Sequence, residues 1–322
     1  MAANCRQQIV EFNTLETDMV SSADKSSSTT SVLVTGAGGL VGSRLVKMLQ
    51  TRGPVYSLYS RHPPPAGIPV RLDLTAIEEI RPVLEKLRPE VIFHLAALTD
   101  VDRCETDRQL ALRVNYEATM EISKVSSDLG SQMLFLSTDY VFDGRKGNYS
   151  ESDEPLPSNF YGKTKLMGEM AVREWARDSC IARASVIYGS EPAAGKVNFA
   201  IWLLDRLTKG AETNVLVDQF VTPTLNSNLV DMILEVTERR LVGVIHVSGA
   251  SRVSRFDFAK MLANHFNLDK SLLKPVEMHE MKWNARRPRD SSLDVLKATS
   301  ILNSKPLPLI QSLDRLKLER DG

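Results

Sequence analysis

A glycine-rich segment separates the first apolar run of this chain from its first helical pattern. It reads Thr35-Gly36-Ala37-Gly38-Gly39-Leu40-Val41-Gly42 and follows residues 32–34, which are typical of a buried strand. Glycines at this spacing let the backbone turn tightly and bring N–H groups close to a pyrophosphate, whose charge is favoured at a helix N-terminus. The alternative is a tight turn without a ligand. The strand-loop-helix context favours a dinucleotide-binding loop, which consists of Gly36, Gly39, Leu40, Val41 and Gly42.

Short apolar runs alternate with helical periodicity from residue 32 to about residue 137. Because a parallel sheet covered on both faces requires continuous apolar strands separated by helices, this alternation predicts a doubly wound α/β fold with a parallel sheet. The predicted strands are residues 32–34, 55–59, 91–95, 133–136 and 181–187. The predicted helices are residues 40–49, 77–87, 109–129, 160–176 with Ser158 as N-cap, 198–209, 226–239 and 255–266.

The chain divides into three segments on this pattern. Residues 1–31 are poor in apolar side chains and end in a Ser- and Thr-rich run, so we expect a disordered tail. Residues 32–190 are predicted to form a dinucleotide-binding Rossmann domain. Residues 191–322 are predicted to form mainly a smaller substrate-binding region, and a strand returning from it to the Rossmann sheet is an open alternative.

Composition and charge argue against several classes of protein. Forty Lys and Arg side chains balance forty Asp and Glu side chains, which argues against non-specific binding of nucleic acid or of an anionic membrane. No apolar run approaches the ~20 residues of a membrane span, and residues 1–31 resemble no export signal, so we expect a cytoplasmic protein. The cysteines Cys5, Cys104 and Cys180 are far apart, so neither a disulfide framework nor a metal site is expected.

A tyrosine and a lysine four residues apart lie on one face of the predicted helix of residues 160–176. An ammonium group near the Tyr161 phenol stabilises the phenolate, so Lys165 makes Tyr161 a better proton donor and acceptor near neutral pH. Thr138 follows the predicted strand of residues 133–136, at the edge where open α/β sheets bind ligands. Its hydroxyl is placed to polarise a substrate carbonyl, although a turn cap is the alternative role. These three residues predict a reducing site.

The end of the second predicted strand bears on the choice of nicotinamide cofactor. An NAD site usually has a carboxylate there for the ribose 2′-hydroxyl, but no acidic residue occurs from Gly36 to Leu72. Arg61 at the strand end and Arg44 on the first helix would meet a 2′-phosphate instead, so NADPH is favoured and NADH is the alternative. Asp73 and Leu74 are candidates for the adenine edge, or Asp73 is simply an acid at a helix N-terminus.

Three segments of this sequence resemble the extended short-chain dehydrogenase/reductases: residues 35–42, the run Ser137-Thr138-Asp139-Tyr140-Val141-Phe142-Asp143-Gly144, and Tyr161-Gly162-Lys163-Thr164-Lys165. Residues 96–105, 219–224 and 286–294 narrow the resemblance to the dTDP-4-dehydrorhamnose reductases. This resemblance implies that Thr138, Tyr161 and Lys165 are catalytic and that Tyr161 and Lys165 also contact the cofactor. It further implies cofactor contacts for Ala96, Ala97 and Thr99, sugar contacts for Asp102, Asp139 and Tyr140, and a contact between Arg287 and the nucleotide phosphates.

Two features depart from that family. Val186 stands where the family typically has a tryptophan against the sugar ring, so stacking on the hexose is lost. The tail of residues 1–31 is absent from most such reductases, and the chain is also similar to the regulatory beta subunits of methionine adenosyltransferase. The sequence therefore favours NADPH-dependent reduction of the C4 ketone of a nucleotide-linked 4-keto-6-deoxysugar. The alternative is a cofactor-binding regulatory subunit of a partner enzyme, and a homodimer is an open expectation.

Overall fold

The computed structural model describes residues 30–192 and 197–321 and contains a parallel sheet of seven strands. The strands of the chain are β1 (Val32–Thr35), β2 (Val55–Tyr59), β3 (Ile68–Arg71), β4 (Val91–His94), β5 (Gln132–Thr138), β6 (Ser179–Ala184), β7 (Ile187–Tyr188), β8 (Thr213–Leu216), β9 (Phe220–Val221), β10 (Thr224–Leu225), β11 (Gly243–His246), β12 (Val253–Ser254) and β13 (Leu273–Val276). The α-helices are α1 (Gly42–Leu49), α2 (Ile77–Leu87), α3 (Val101–Thr106), α4 (Arg108–Leu112), α5 (Ala118–Leu129), α6 (Phe160–Trp175), α7 (Phe199–Thr208), α8 (Asn226–Glu238), α9 (Arg255–His265), α10 (Leu296–Ile301) and α11 (Leu309–Asp321).

The strand order of the large sheet is β11-β6-β5-β4-β1-β2-β3. The chain therefore winds outward from β1 in one direction through β2 and β3, and then in the other direction from β4. This order confirms the doubly wound α/β fold predicted from the sequence. The direction changes between β1 and β4, where Thr35 lies opposite His94 at the carboxyl ends of the two strands. Open α/β sheets bind their ligands at such a switch point, so the topology places the candidate site there.

Both faces of the sheet are covered by apolar side chains, which is why the central strands have no polar alternation. On β1, Val32 and Val34 pack into a core that includes side chains of α1 and α8, whereas Leu33 packs into a second core with side chains of α2 and α5. Successive residues of a strand point to opposite faces, so a strand between two helix layers must be apolar at every position.

The C-terminal part of the chain contributes to two layers. Helices α7, α9 and α11 enclose a third apolar core that also includes side chains of the β8 and β13 pair. Helix α8 instead packs on the large sheet, and strand β11 extends that sheet by pairing with β6. The division of the chain at residue 190 stays a prediction, and the predicted tail lies outside the described residues except for residues 30–31. Among the described residues no helix is long and apolar enough to cross a membrane.

Three local details differ from the sequence prediction. Asn159, not Ser158, caps α6, because the Asn159 Oδ1 atom accepts the Gly162 N–H at 2.8 Å. The predicted helix of residues 109–129 is interrupted by a π-helical turn at Arg113–Glu117. The predicted strand of residues 181–187 ends at Ala184, because Val186 adopts a left-handed backbone conformation with φ of 37°.

Candidate active site

The glycine loop is tightly closed on itself and leaves no room for side chains at two of its glycines. Gly36 has φ of 68°, and a Cβ atom there would lie 2.9 Å from the backbone of Ala96. A Cβ atom on Gly42 would lie 2.2 Å from the Gly36 carbonyl oxygen. Leu40 accepts a hydrogen bond on its carbonyl oxygen from the Asn226 side chain at 3.2 Å, and Val41 precedes the first turn of α1 without capping it by a side-chain hydrogen bond. The loop therefore presents backbone at the switch point, as a pyrophosphate cradle requires.

Thr35 joins this loop to the segment that follows β4. Its Oγ1 atom accepts hydrogen bonds from the N–H groups of Leu95 and Ala96, both at 3.1 Å. The resulting turn carries Ala96 and Ala97 past Gly36 and leads through Thr99 to α3. The loops after β1 and β4 are thus held together, and the predicted cofactor residues Ala96, Ala97 and Thr99 lie in the loop after β4.

His94 is the buried partner of Thr35, and the surrounding hydrogen bonds define its tautomer. The Thr119 hydroxyl donates to the Asn115 carbonyl oxygen at 2.9 Å, so it must accept from His94 Nε2 at 2.9 Å. His94 Nδ1 therefore accepts from the Thr35 hydroxyl at 2.8 Å. Burial, with a smaller contribution from the Lys165 charge, lowers the pKa of His94 to about 3, so its ring is neutral in the folded protein at ordinary pH.

We expect the neutral His94 ring to make the protein sensitive to acid. The ordinary pKa of histidine is 6.5, so below that pH the unfolded chain takes up a proton that the folded protein does not. Stability should be unaffected by this group above pH 6.5 and should fall below it, by up to about 1.4 kcal/mol per pH unit, until the pH approaches 3. Urea unfolding of the wild type and of His94→Gln across this range measures the slope, which should be shallower in the variant. The exposed His62→Gln is the matched control, and equal slopes in all three proteins would contradict the expectation.

The predicted proton donor and its threonine partner meet because α6 packs closely on the turn after β5. A Cβ atom on Gly162 would lie 2.1 Å from the Tyr140 carbonyl oxygen, so only glycine allows this approach. Tyr161 is 9% exposed and lies beside Thr138, and the Tyr140 ring packs edge-on against it at 5.9 Å. Burial raises the pKa of Tyr161 above its ordinary value, so the free phenol is a weak acid in this structure.

Lys165 lies one helical turn after Tyr161 and is also buried. Its Nζ atom donates to the Leu136 carbonyl oxygen at 2.8 Å and lies 3.9 Å from the centroid of the Phe135 ring. Burial lowers the pKa of Lys165 to about 7, although the negative charge of Glu169 opposes this effect. An added negative group beside Lys165 would therefore favour its charged form and, through it, the phenolate of Tyr161.

A buried ion pair supports this helix from the side of β6. Arg183 and Glu169 have wholly buried side chains and form two hydrogen bonds, of 2.8 Å and 2.6 Å. Ser137 donates to the same carboxylate at 2.6 Å. The Ser137 hydroxyl is therefore committed to Glu169, and Thr138 is the hydroxyl that faces Tyr161.

Asp139 is buried beneath Thr138, where its carboxylate accepts hydrogen bonds from three hydroxyl groups. Thr138 donates to Oδ1 at 3.1 Å, whereas Ser185 and Ser291 donate to Oδ2 at 2.9 Å and 2.5 Å. The residue is 2% exposed. The resemblance implies that Asp139 contacts a sugar, but in this structure both carboxylate oxygens are bound within the protein.

Two further residues for which the resemblance implies substrate contacts are paired with each other. Arg287 binds the Asp102 carboxylate through both terminal nitrogens, at 2.7 Å and 3.3 Å, and the Ala285 N–H donates to the same carboxylate at 2.9 Å. The guanidinium lies 5.0 Å from the centroid of the Trp283 ring. Tyr140 lies beside the side chains of Gln219 and Arg255, and Arg255 Nε donates to Gln219 Oε1 at 3.2 Å. These contacts bring the C-terminal segment to the edge of the site.

The residues assigned to the adenosine end of the cofactor lie at the other side of the switch point. Arg61 is exposed just after β2, and Leu74 packs in the apolar core. The Asp73 carboxylate accepts from the Thr75 N–H at 3.0 Å, which holds the pKa of that carboxyl below its usual range. Arg44 is not beside them, because it forms an ion pair with Glu319 of α11 at 2.8 Å. Arg61 is thus an exposed cation at the end of β2.

Sequence reasoning missed Asn115, which lies in the π-helical turn and connects three parts of the site. Its side chain accepts the Leu98 N–H at 2.8 Å and donates to the Thr164 hydroxyl at 3.1 Å. Its carbonyl oxygen would lie 2.8 Å from a Cβ atom on Gly168, so α6 also approaches it closely. A single asparagine within a helical pattern does not by itself indicate a functional or structural role. Arg183 is different, because an arginine within an apolar strand requires a buried partner and so indicates an ion pair.

Comparisons with known proteins agree with this architecture. A family model described as the RmlD substrate binding domain matches residues 30–317. The chain is 35% identical over 266 residues to the probable low-salt glycan biosynthesis reductase Agl14 of Haloferax volcanii, covering 81% of this chain and 89% of that protein. It is 31% identical over 284 residues to the methionine adenosyltransferase 2 subunit beta of Pongo abelii, covering 84% and 82%. The crystal structure of dTDP-4-dehydrorhamnose reductase from Bacillus anthracis in complex with NADP superposes with a TM-score of 0.81 and 30% identity, covering 90% of this chain and 99% of that one.

Proposed function

We propose that this chain, which belongs to the RmlD substrate-binding domain family, reduces the C4 ketone of a nucleotide-linked 4-keto-6-deoxysugar with NADPH. The observation that carries the proposal is the buried cluster of Tyr161, Thr138 and Lys165 at the carboxyl end of β5, beside the topological switch point. A phenol, a hydroxyl and an amine in this arrangement are suited to protonate a carbonyl oxygen. The similar proteins named as reductases support the same reaction class.

The residues at the switch point fit a dinucleotide cofactor. Gly36 and Gly42 let the loop close tightly, because a Cβ atom at either position would collide with the backbone of Ala96 or of Gly36 itself. The backbone N–H groups of the loop and of the start of α1 could then approach a pyrophosphate. Ala96, Ala97 and Thr99 border the same opening. Arg61 would bind the 2′-phosphate of NADPH, and with no carboxylate between Gly36 and Leu72, NADH is the weaker alternative. When bound, the cofactor supplies the hydride.

The chemical step then requires this chain to hold the carbonyl and to provide a proton. As hydride adds to the carbonyl carbon, the C=O π electrons move to oxygen, and the Tyr161 O–H bond breaks to protonate that oxygen. Lys165 stabilises the phenolate that remains, because a positive charge close to the phenol lowers the free energy of its ionised form. Thr138 lies beside Tyr161 and would help to orient the phenol.

The substrate would enter between this cluster and the C-terminal segment. Arg287 is the cation at that edge, and a diphosphate would compete with Asp102 for it. Tyr140 and Asp102 are the neighbouring side chains with polar groups for the sugar. Val186 cannot stack on a hexose as a tryptophan would, so the proposal leaves the identity of the sugar and of the base open.

An NADPH-oxidation assay against a panel of nucleotide-linked 4-keto-6-deoxysugars tests the proposed function. We expect at least one member to be reduced, with NADPH preferred over NADH, and the product to carry a hydroxyl at C4. Binding of NADPH without reduction of any member of the panel would reject the reductase function.

The alternative function is regulation of a partner enzyme by a chain that keeps the cofactor site. It is favoured by the similarity to proteins named methionine adenosyltransferase 2 subunit beta. Under this alternative, the protein should bind a methionine adenosyltransferase catalytic subunit and change its kinetics, and Tyr161→Phe should leave that effect intact. Reduction of a nucleotide sugar in the NADPH-oxidation assay would support the first function, and an effect on the catalytic subunit that persists in Tyr161→Phe would support the second. The formation of a homodimer is a separate prediction.

A further inference from the structure

The glycine loop is held by the side chain of Asn226, the first residue of α8. Asn226 Nδ2 donates to the Leu40 carbonyl oxygen at 3.2 Å. The opposite assignment of the amide atoms would place two acceptors against each other, so the amide presents its NH₂ group to Leu40. Asn226 is 3% exposed, and a Cβ atom on Gly189 would lie 2.5 Å from its Cγ atom. The carboxamide is therefore fixed between Leu40 and Gly189.

This contact determines the direction of a backbone N–H group in the loop. In a trans peptide unit, the C=O bond and the N–H bond point in opposite directions. The Leu40 carbonyl points toward Asn226, so the N–H group of Val41, which belongs to the same peptide unit, points away from it. Rotating this unit would break the contact and turn the N–H group toward the buried carboxamide. Asn226 thus fixes the orientation of the unit.

The Val41 N–H group lies within a run of unpaired backbone donors. On either side of the run, the Gly39 N–H donates to the Gly36 carbonyl oxygen at 2.8 Å, and the Ser43 N–H donates to the Gly39 carbonyl oxygen at 2.9 Å. Within the described residues, the N–H groups of residues 40–42 have no acceptor. Successive free N–H groups at the start of a helix bind anions, and a pyrophosphate is the anion that suits a glycine loop.

Stability alone does not account for an asparagine at this position. The Oδ1 atom of Asn226 is buried and has no hydrogen-bond partner within the described residues. A buried acceptor without a donor lowers stability, and an apolar side chain of similar size would avoid that loss. Asn228, also in the first turn of α8, has both amide atoms bonded. Its Nδ2 atom donates to the Lys305 carbonyl oxygen at 3.0 Å, and its Oδ1 atom accepts the Leu307 N–H at 3.1 Å.

We propose that Asn226 is a positioning residue for the cofactor, because it holds the Leu40–Val41 peptide unit with its N–H group directed at the pyrophosphate. Asn226 itself touches no part of the cofactor in this scheme and acts only through the Leu40 carbonyl group. The proposal rests on the proposed function in one respect, since it takes NADPH as the dinucleotide. It does not depend on which sugar is reduced.

Calorimetric titration of NADPH into the wild type, Asn226→Leu and the matched control Asn228→Leu tests the proposal. We expect Asn226→Leu to bind NADPH about 10-fold more weakly, the usual effect of losing one hydrogen bond to a charged group. Asn228→Leu should bind NADPH as the wild type does. Its free energy of unfolding in urea should fall further than that of Asn226→Leu, because it loses two buried hydrogen bonds. Equal NADPH affinities in the wild type and Asn226→Leu would overturn the proposal.

A second ligand separates a misdirected N–H group from a general disturbance of the site. Adenosine 2′-monophosphate lacks the pyrophosphate but carries the phosphate expected to meet Arg61, so its affinity should be the same in the wild type and in Asn226→Leu. Equal fold losses for both ligands would overturn the proposal. Asn226→Ala removes the same donor with a smaller side chain beside Gly189 and should repeat the pattern, which covers the case in which leucine does not fit.

The two proposals fail in different experiments. A wild-type protein that binds NADPH, loses affinity in Asn226→Leu and reduces no nucleotide-linked sugar would reject only the proposed function. A wild-type protein that reduces such a sugar, with NADPH affinity unchanged in Asn226→Leu and in Asn226→Ala, would reject only the role of Asn226.

Discussion

Tyr161→Phe is expected to lower turnover by about 10²–10⁴-fold, the usual effect of removing a positioned general acid. The substitution keeps the ring, which packs against Tyr140, and removes the hydroxyl beside Thr138. NADPH affinity should change little, because the glycine loop and Arg61 bind other parts of the cofactor. Single-turnover oxidation of NADPH, together with calorimetric binding of NADPH, separates the two effects.

Tyr188→Phe is the matched control for this experiment. Tyr188 is another buried tyrosine whose hydroxyl donates to Ser312 at 2.7 Å in the C-terminal core. Its removal should cost about 1 kcal/mol of stability and leave turnover near that of the wild type. Wild-type turnover in Tyr161→Phe on the true substrate would eliminate Tyr161 as the proton donor.

Glu169→Gln is expected to destabilise the protein by about 3–5 kcal/mol, because it leaves the Arg183 guanidinium buried without a counter-charge. Both side chains of this pair are wholly buried. The double variant Glu169→Leu with Arg183→Met removes both charges and should be clearly more stable than either charge-removing single variant. Urea unfolding at neutral pH measures the free energies of unfolding of the wild type, Glu169→Gln, Glu169→Leu, Arg183→Met and the double variant.

The exposed ion pair between Lys209 and Asp205 is the control for burial. Both side chains are more than half exposed, and Asp205→Asn should change stability by less than about 1 kcal/mol. If Glu169→Gln lowered the free energy of unfolding no more than Asp205→Asn does, the Arg183–Glu169 pair would not need its counter-charge. The description of this pair as a buried contact between α6 and β6 would then be wrong.

The sequence was sufficient for those parts of the site that depend on local pattern. The glycine loop, the buried strands around β1 and the spacing of Tyr161 and Lys165 each follow from a few neighbouring residues, and the structure has the predicted doubly wound fold with a parallel sheet. The capping of α6 shows the limit of local pattern: Ser158 and Asn159 are both good caps, and only the path of the chain decides between them. In the described part of the chain the Ser158 hydroxyl has no hydrogen-bond partner.

The rest of the site depends on residues far apart in the chain. Asp139 receives its hydrogen bonds from Ser185 and Ser291, which are 46 and 152 positions away. Arg61 and Arg44 illustrate the same difficulty, because both were predicted to meet a 2′-phosphate and only the fold reveals that Arg44 binds Glu319 instead. No periodicity or spacing in a single sequence encodes such pairings, since any serine or glutamate of the C-terminal part satisfies the same chemistry.

The contacts of Asp139 with Ser291 and of Asp102 with Arg287 also set the moment at which the site is completed during synthesis. A ribosome releases the segment that carries Ser291 and Arg287 only when most of the chain has been made, after all strands of the large sheet have emerged. The sheet and its helices can therefore fold early, but the hydroxyl network beneath Thr138 must wait for the closure of a very long loop. A nascent chain therefore carries the glycine loop and the helix of Tyr161 and Lys165 before Ser291 can reach the Asp139 carboxylate.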